Sequence, residues 1–323
     1  MEMNASRLLP LLVLAATAAP AVAAESTYPN RPIRVIVGFP PSGSADIFAR
    51  LMGQQLTDAW GQSVVVDNRP GAGSTMGSEI VANSTPDGYT LMVVSASFST
   101  SAGLYTNLKY DPVKSFQPIT VIASAPNVCL AHPAVPVKNV GELIALAKSN
   151  PRKFNMGSAG TGSITHLSGE LFTSMAGIEV QQVPYKGGGP ALQAVVGNQI
   201  HLTFLSLSAS LGQVKAGRVK ALGVTSAKRS QILPDVPAIG EFVPGYQATN
   251  WFAMLAPAAV PKPIIDKINK QAVAILRNPE VAGAIRKQGA EPEGGSPEET
   301  AKFVRSEIAK WSKVIKSIGL KAN

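Results

Sequence analysis

The sequence predicts an α/β protein of two lobes, each built on a parallel-type sheet covered by helices. Three observations carry this reading. The chain has 323 residues, long for one hydrophobic core, so two lobes are expected. Short apolar runs alternate with stretches of helical period, the pattern of parallel strands joined by crossover helices. The same unit of strand, glycine turn and helix then occurs twice, once at 33–56 and again at 154–175.

The first unit runs from the apolar strand 33–37 through Gly38-Phe39-Pro40-Pro41-Ser42-Gly43-Ser44 into a helix with Phe48, Met52 and Leu56 at four-residue steps. Ser44 is the expected N-cap, with Gly43 letting the chain turn. A strand at 63–67, a glycine-rich turn at 70–77, a helix through Ile80 and Val81, the turn Pro86-Asp87-Gly88 and a strand at 89–94 follow. The long apolar run 119–130, interrupted by Pro126, reads as the crossing into the second lobe. There the pattern repeats: helix 140–148, strand 154–156, loop Gly157 to Ser163, and a helix carrying Leu167, Leu171 and Met175 that stops at Gly177. A strand at 180–184 leads to Tyr185-Lys186-Gly187-Gly188-Gly189-Pro190, with Pro190 suited to the first position of the next helix. Strands follow at 200–205 and 219–225, and 251–255 reads as a strand returning to the first lobe. The tail is helical. Its last helix opens on the capping box Ser296-Pro297-Glu298-Glu299 and carries an apolar stripe, Val304, Ile308, Trp311, Ile315 and Ile318, expected to cover the first lobe.

The first 24 residues have a different character. Arg7 precedes the apolar run 8–19, which Pro20 and the small residues 21–24 close, as in a cleavable export signal. The run is too short to span a bilayer, and no later stretch supplies the ~20 apolar residues a membrane helix requires. Residues 1–24 are therefore read as a signal peptide, 25–125 as the first part of lobe one, 126–248 as lobe two, and 249–323 as the return to lobe one. Hydrophobic residues make up 45% and charged residues 15% of the chain, enough to bury a core. Cys129 is the single cysteine, so no internal disulfide forms. With 29 Lys and Arg against 20 Asp and Glu, the charge is +9, which favours anionic partners without naming one. The basic residues are scattered, and neither a basic run nor a stacking motif argues for nucleic acid.

Both glycine loops open helices, where unpaired N–H groups and the aligned peptide dipoles favour an anion. If the two sheets face one another across a cleft, both openings address one small carboxylate, since parallel sheets bind ligands beyond the carboxyl ends of their strands. Other chemistry finds less support. Gly71-x-Gly73 lacks the third glycine of a dinucleotide loop at the required spacing. No Gly-x-Ser-x-Gly elbow is present, and His166, in the first turn of its helix, is the one histidine of three placed to serve as a base. Hydrogen bonding of His166 within its own loop and contact with a ligand remain equal alternatives. Asp46 reads more readily as a dipole partner or loop clamp, paired with Arg50, than as a catalytic acid. No metal-ligand spacing occurs.

The segments Tyr28-Pro29-Asn30-Arg31-Pro32-Ile33, Gly38 to Asp46 with Ala49-Arg50, Asn68-Arg69-Pro70-Gly71-Ala72-Gly73, Pro86-Asp87-Gly88-Tyr89-Thr90, Tyr110-Asp111-Pro112, Gly157 to Ser163 with His166-Leu167, Val183 to Gly187, and Leu233 to Pro237 together resemble the solute receptors of tripartite tricarboxylate transporters, also called Bug-type receptors. The likeness covers essentially all of the chain after residue 24. It implies a periplasmic, monomeric receptor of the Venus-flytrap, type II-like periplasmic-binding-protein architecture. Such a receptor closes on a carboxylate, often through ordered water, and delivers it to an integral-membrane permease, with no catalysis and no cofactor. It also implies ligand contact by Phe39, Pro41, Ser42, Gly43, Ser44 and Asp46; by Ser97; by Ser158, Ala159, Gly160, Thr161, Gly162, Ser163 and His166; by Tyr185; and by Leu205 and Ser206. Two departures shape the expected ligand. Ser42 replaces one glycine of a usual pair, and Leu205 stands where many members carry Asp, which removes an acceptor for an amino group. With Phe39 and Phe98 expected nearby, a dicarboxylate or an aromatic carboxylate is favoured. Rival readings are a hydrolase or transferase using Ser163 and His166, and a nonspecific polyanion binder.

Overall fold

The computed structural model describes residues 28–320 apart from Ser42 and Lys186; the expected signal peptide lies outside the described residues. The chain alternates strand and helix from its start: β1 (Ile33–Val37), α1 (Ser44–Trp60), β2 (Val64–Asn68), α2 (Thr75–Ala82), β3 (Thr90–Ser95) and α3 (Ser97–Leu104). A 16-residue strand, β4 (Phe116–Ala131), leads into α4 (Val140–Ser149), β5 (Asn155–Ser158), α5 (Ile164–Ala176), β6 (Gln181–Pro184), α6 (Gly188–Val196), β7 (Leu202–Ser206), α7 (Leu207–Lys215) and β8 (Lys220–Val224). β9 (Thr249–Pro257), α8 (Lys262–Arg277), α9 (Pro279–Lys287), β10 (Glu291–Gly294) and α10 (Pro297–Ser317) complete the described chain.

The pairing order is β2-β1-β3-β9-β4-β7-β5-β6, with β10 and β8 also on β4. β1 pairs in parallel with β2 and β3, and β5 with β6 and β7. β9 and β10 instead run antiparallel to β4, as do β7 and β8. The expected parallel sheets are thus the outer parts of one curled, mixed sheet. The reason is topological: a chain that crosses once and returns once must lay its two crossing segments side by side in opposite directions. β4 carries the crossing. It pairs with β9 up to Pro126↔Thr249 and with β7 from Asn127↔Ser206, so Pro126 marks the change of partner. A residue without an N–H loses no bond there.

Each half buries both faces of its sheet, as parallel strands require. In lobe one, Val35, Val37, Leu91 and Val93 pack with Phe48, Met52 and Leu56 of α1 and with Ile265 and Ile268 of α8. The opposite face sets Ile36, Met92 and Val94 against Val81, Phe98 and Val304. In lobe two, Met156, Leu202 and Phe204 pack with Leu167 and Phe172, while Val128, Leu130 and Leu205 meet Ala191, Leu192 and Val195. The apolar stripe of α10 does not stay on lobe one. Val304 belongs to the lobe-one core, but Trp311, Val314 and Ile315 belong to the core of lobe two. Glu307, buried between them, accepts hydrogen bonds from Trp251 Nε1 on β9 (3.1 Å) and Trp311 Nε1 (3.0 Å). Helical period alone shows which face is buried and leaves open how many neighbours share it.

Candidate functional site

The register fixes where the helix openings point. Ser95 at the end of β3 is level with Phe252, and Phe252 with Ala123 on β4. On the other side, Ser206 at the end of β7 is level with Asn127. β3 runs in the direction of β4 and β7 against it, so their carboxyl ends approach one another, separated along β4 by the step from Ala123 to Asn127, roughly 13 Å at strand rise. β1 and β2 are parallel to β3, and β5 and β6 follow β7, so the openings of both lobes share this edge of the sheet. The halves also touch: a Cβ placed on Gly162 would lie 3.2 Å from Leu104 Cδ1 at the end of α3.

In lobe one the loop after β1 is held from below. Asp46 is buried, 3% exposed, and its carboxylate accepts from Arg50 Nε (3.0 Å) and Asn68 Nδ2 (2.9 Å); Asn68 also donates to Phe39 O (3.0 Å) and accepts from Arg50 Nη2 (3.0 Å). Asp46 is therefore placed as the clamp of the loop. The N-cap of α1 is Gly43, not Ser44, and Gly43 has no side chain to cap the helix; Ser44, the first helical residue, is exposed. Phe39 is half-buried against the lobe-one core, and Pro41 is exposed. Ser42 lies outside the described residues. Ser97 opens α3 with its hydroxyl 2.9 Å from that of Ser95. Phe98 does not line the crevice: it is buried in lobe one, edge-to-face with Phe116 at 5.2 Å.

In lobe two the loop is tied by neutral groups. Ser163 N-caps α5, accepting from His166 N (3.2 Å) and donating to Gly160 O (2.6 Å). Ala159 N donates to Thr165 Oγ1 (2.9 Å), and Tyr185 N and Gly187 N donate to the carbonyls of Ser158 and Ala159. Gly162 N donates to His166 Nδ1 (3.1 Å), while Nε2 lies 3.5 Å from Glu170 Oε1. His166 is thus engaged by its own loop and its own helix, and among the described residues no hydrogen bond joins its ring to Ser163 Oγ. Thr161 is exposed, Gly162 is half-buried, and Ser158 is buried with its hydroxyl unpartnered. Tyr185 is half-buried beside Gly157. Leu205 is 2% exposed in the core of lobe two, whereas Ser206 stands at the N-cap position of α7, at the crevice edge, without a side-chain capping bond.

The openings of α3 and α7 lie on the same edge as those of α1 and α5. α3 carries little helical signal because Ser97-Phe98-Ser99-Thr100-Ser101 has poor helix formers and no stripe; for α7, a Ser before Leu207 and Leu211 is the residue type favoured at a helix start, although Ser206 makes no side-chain cap bond. The segments 39–44 and 158–163 carry no charged side chain. What these segments present is N–H groups, hydroxyls and helix dipoles, and a helix dipole is worth about 0.3–1 kcal/mol to an anion at a surface and up to ~2 when partly buried.

The profile of the tripartite tricarboxylate transporter family receptor matches residues 48–320. The chain belongs to this family. It is 35% identical over 324 residues to Protein BugT of Bordetella pertussis, covering 99% of each chain. Among solved structures it is similar to R. palustris Rpa4515 with adipate (38% identity, TM-score 0.75, 91% of this chain and 99% of that one). It is also similar to MatC (Rpa3494) from Rhodopseudomonas palustris with bound malate (31% identity, TM-score 0.71, 89% and 100%). As a member of a family of periplasmic solute receptors, the chain is a binding protein and not an enzyme.

Proposed function

We propose that this receptor captures a small carboxylate between its lobes and delivers it to the membrane permease of a tripartite tricarboxylate-type transporter. Lobe one comprises 25–125 with 249–323, and lobe two 126–248. The observation that carries the reading is the convergence of uncharged helix openings from both lobes on one edge of a shared sheet, the arrangement that holds an anion by N–H groups without a fixed counter-charge. Phe39, Pro41, Gly43, Ser44 and Ser97 form one jaw. Ser158 to Ser163, Tyr185 and Ser206 form the other, while Asp46, His166 and Leu205 act from behind by holding the loops and the core in place. The adipate and malate named for two structural relatives support a dicarboxylate, and a polar, hydroxyl-lined crevice with Phe98 turned away favours it over an aromatic acid. Export by residues 1–24 places the monomeric chain in the periplasm, and no cofactor or metal is needed.

A thermal-shift screen of carboxylates on the mature chain tests this. A ligand at ~100 times its dissociation constant adds about 2.7 kcal/mol of stability. Ser44→Asp and Thr161→Asp each set a like charge at a helix opening from an exposed position, and each should abolish the shift while the unliganded melting temperature holds. Full retention of the shift in both variants would remove these loops from the site.

A further inference from the structure

The +9 charge is not used by the crevice, whose loops are neutral, and its placement suggests a second role. On α10 the exposed cations Lys302, Arg305, Lys313 and Lys316 fall, at 100° per residue, within an arc about 80° wide, with exposed Ala309 between them. They extend over about 21 Å of helix at 1.5 Å per residue. Among the described residues none of the four forms an ion pair. Of the acids of this helix, Glu299 caps the first turn, Glu307 is buried on the opposite face, bonded to two indoles and to Lys310, and Glu298, at the N-terminal end of the same arc, lies 3.9 Å from Lys262 Nζ. The apolar residues of α10 also point inward, with Val304, Trp311, Val314 and Ile315 buried in the cores of both lobes. The outward stripe therefore offers charge and no aromatic or branched apolar anchor. Tight protein interfaces depend on such anchors, whereas a headgroup layer attracts basic side chains by charge alone.

We propose that this face of α10 docks the receptor on an anionic phospholipid surface, holding it electrostatically at the membrane where its permease resides. Because α10 packs against both lobes, one docked helix orients the whole molecule.

The test is co-sedimentation of the mature chain with vesicles of phosphatidylcholine and phosphatidylglycerol at 3:1, in low salt. Binding is expected, with loss in pure phosphatidylcholine and at high salt. The variant K302E/R305E/K313E/K316E should bind at least tenfold more weakly. A control with the same net charge, K138E/K148E/K215E/K228E, alters exposed lysines of lobe two and should bind nearly as the parent does. Circular dichroism and the carboxylate thermal shift, both unchanged in the stripe variant, show that it is folded and that its crevice is intact. Equal loss in the two quadruple variants would reduce the effect to net charge and overturn the assignment. Absence of vesicle binding by the parent would overturn it too, leaving the stripe to an acidic protein partner.

Discussion

The two crevice loops do the same work by different means. In lobe one the loop after β1 hangs on a charged clamp, Asp46 with Arg50 and Asn68, anchored in the end of β2. In lobe two the loop after β5 closes on itself through Ser163, Thr165 and His166, with no ion pair inside the loop. The difference follows from the cap. Gly43 gives α1 no capping side chain, so the loop's position must be set by a residue one turn in, and the buried Asp46 does it from inside the helix. Ser163 caps α5 directly, so the remaining groups only refine the turn. One jaw is fixed by charge and the other by neutral hydrogen bonds. The two should therefore fail under different perturbations.

The largest expected effect is on the charged side. Asp46→Ala removes the acceptor for both Arg50 and Asn68; charge-assisted hydrogen bonds contribute about 1.5–3 kcal/mol, reduced here because Arg50 is 53% exposed and re-solvates. A loss of about 2 kcal/mol in urea unfolding is expected, with carboxylate binding weakened more than tenfold as the loop drifts. Native-like affinity would show that the clamp does not position the jaw.

In lobe two the strongest lever is backbone conformation. Gly162 sits at φ +77 and meets Leu104 of the other lobe. Gly162→Ala forces an L-residue into the left-handed region, at a cost of roughly 1–2 kcal/mol, and presses on the end of a flexible leucine. Both a lower melting temperature and weaker ligand binding are expected, since this turn is one of the places where the lobes touch. Ser163→Ala is milder. Loss of an N-cap typically costs about 1 kcal/mol, and the affected turn also presents the crevice N–H groups, so a thermal shift reduced by more than the stability change would separate binding from folding.

Much of this was legible in the chain. Period and turn chemistry mark strand, glycine turn and helix, and in the two loops both features coincide. What was not legible is long-range. Asp46 finds its second partner, Asn68, across 22 residues, and α10 reaches two cores that no local pattern distinguishes. Phe98 looked like a crevice aromatic only because it follows Ser97 at a strand end; helix α3 turns it a quarter circle inward. Leu205, adjacent to Phe204 on β7, faces the opposite side of the sheet because side chains alternate along a strand.

The smallest effect concerns acid. Asp67, next to Asn68 at the end of β2, is pushed up by burial, but hydrogen bonds from Arg34 and Arg69 outweigh this and hold its carboxyl below the ordinary range. A carboxyl whose folded value lies below its unfolded one, about 3.9, stabilises the fold above that pH; the contribution fades as pH falls through the folded value. Arg34 and Arg69 are both about half exposed, so solvent screening keeps the interaction within about 1 kcal/mol. Melting curves of the parent and Asp67→Asn should thus differ by a degree or two near pH 7 and converge in acid, as pH falls through the lowered folded value. A gap that persisted in acid would mean that Asp67 acts through shape rather than charge. In the same titration Ser163→Ala should stay offset from the parent at every pH, since its cap is neutral, and that contrast separates the two jaws most directly.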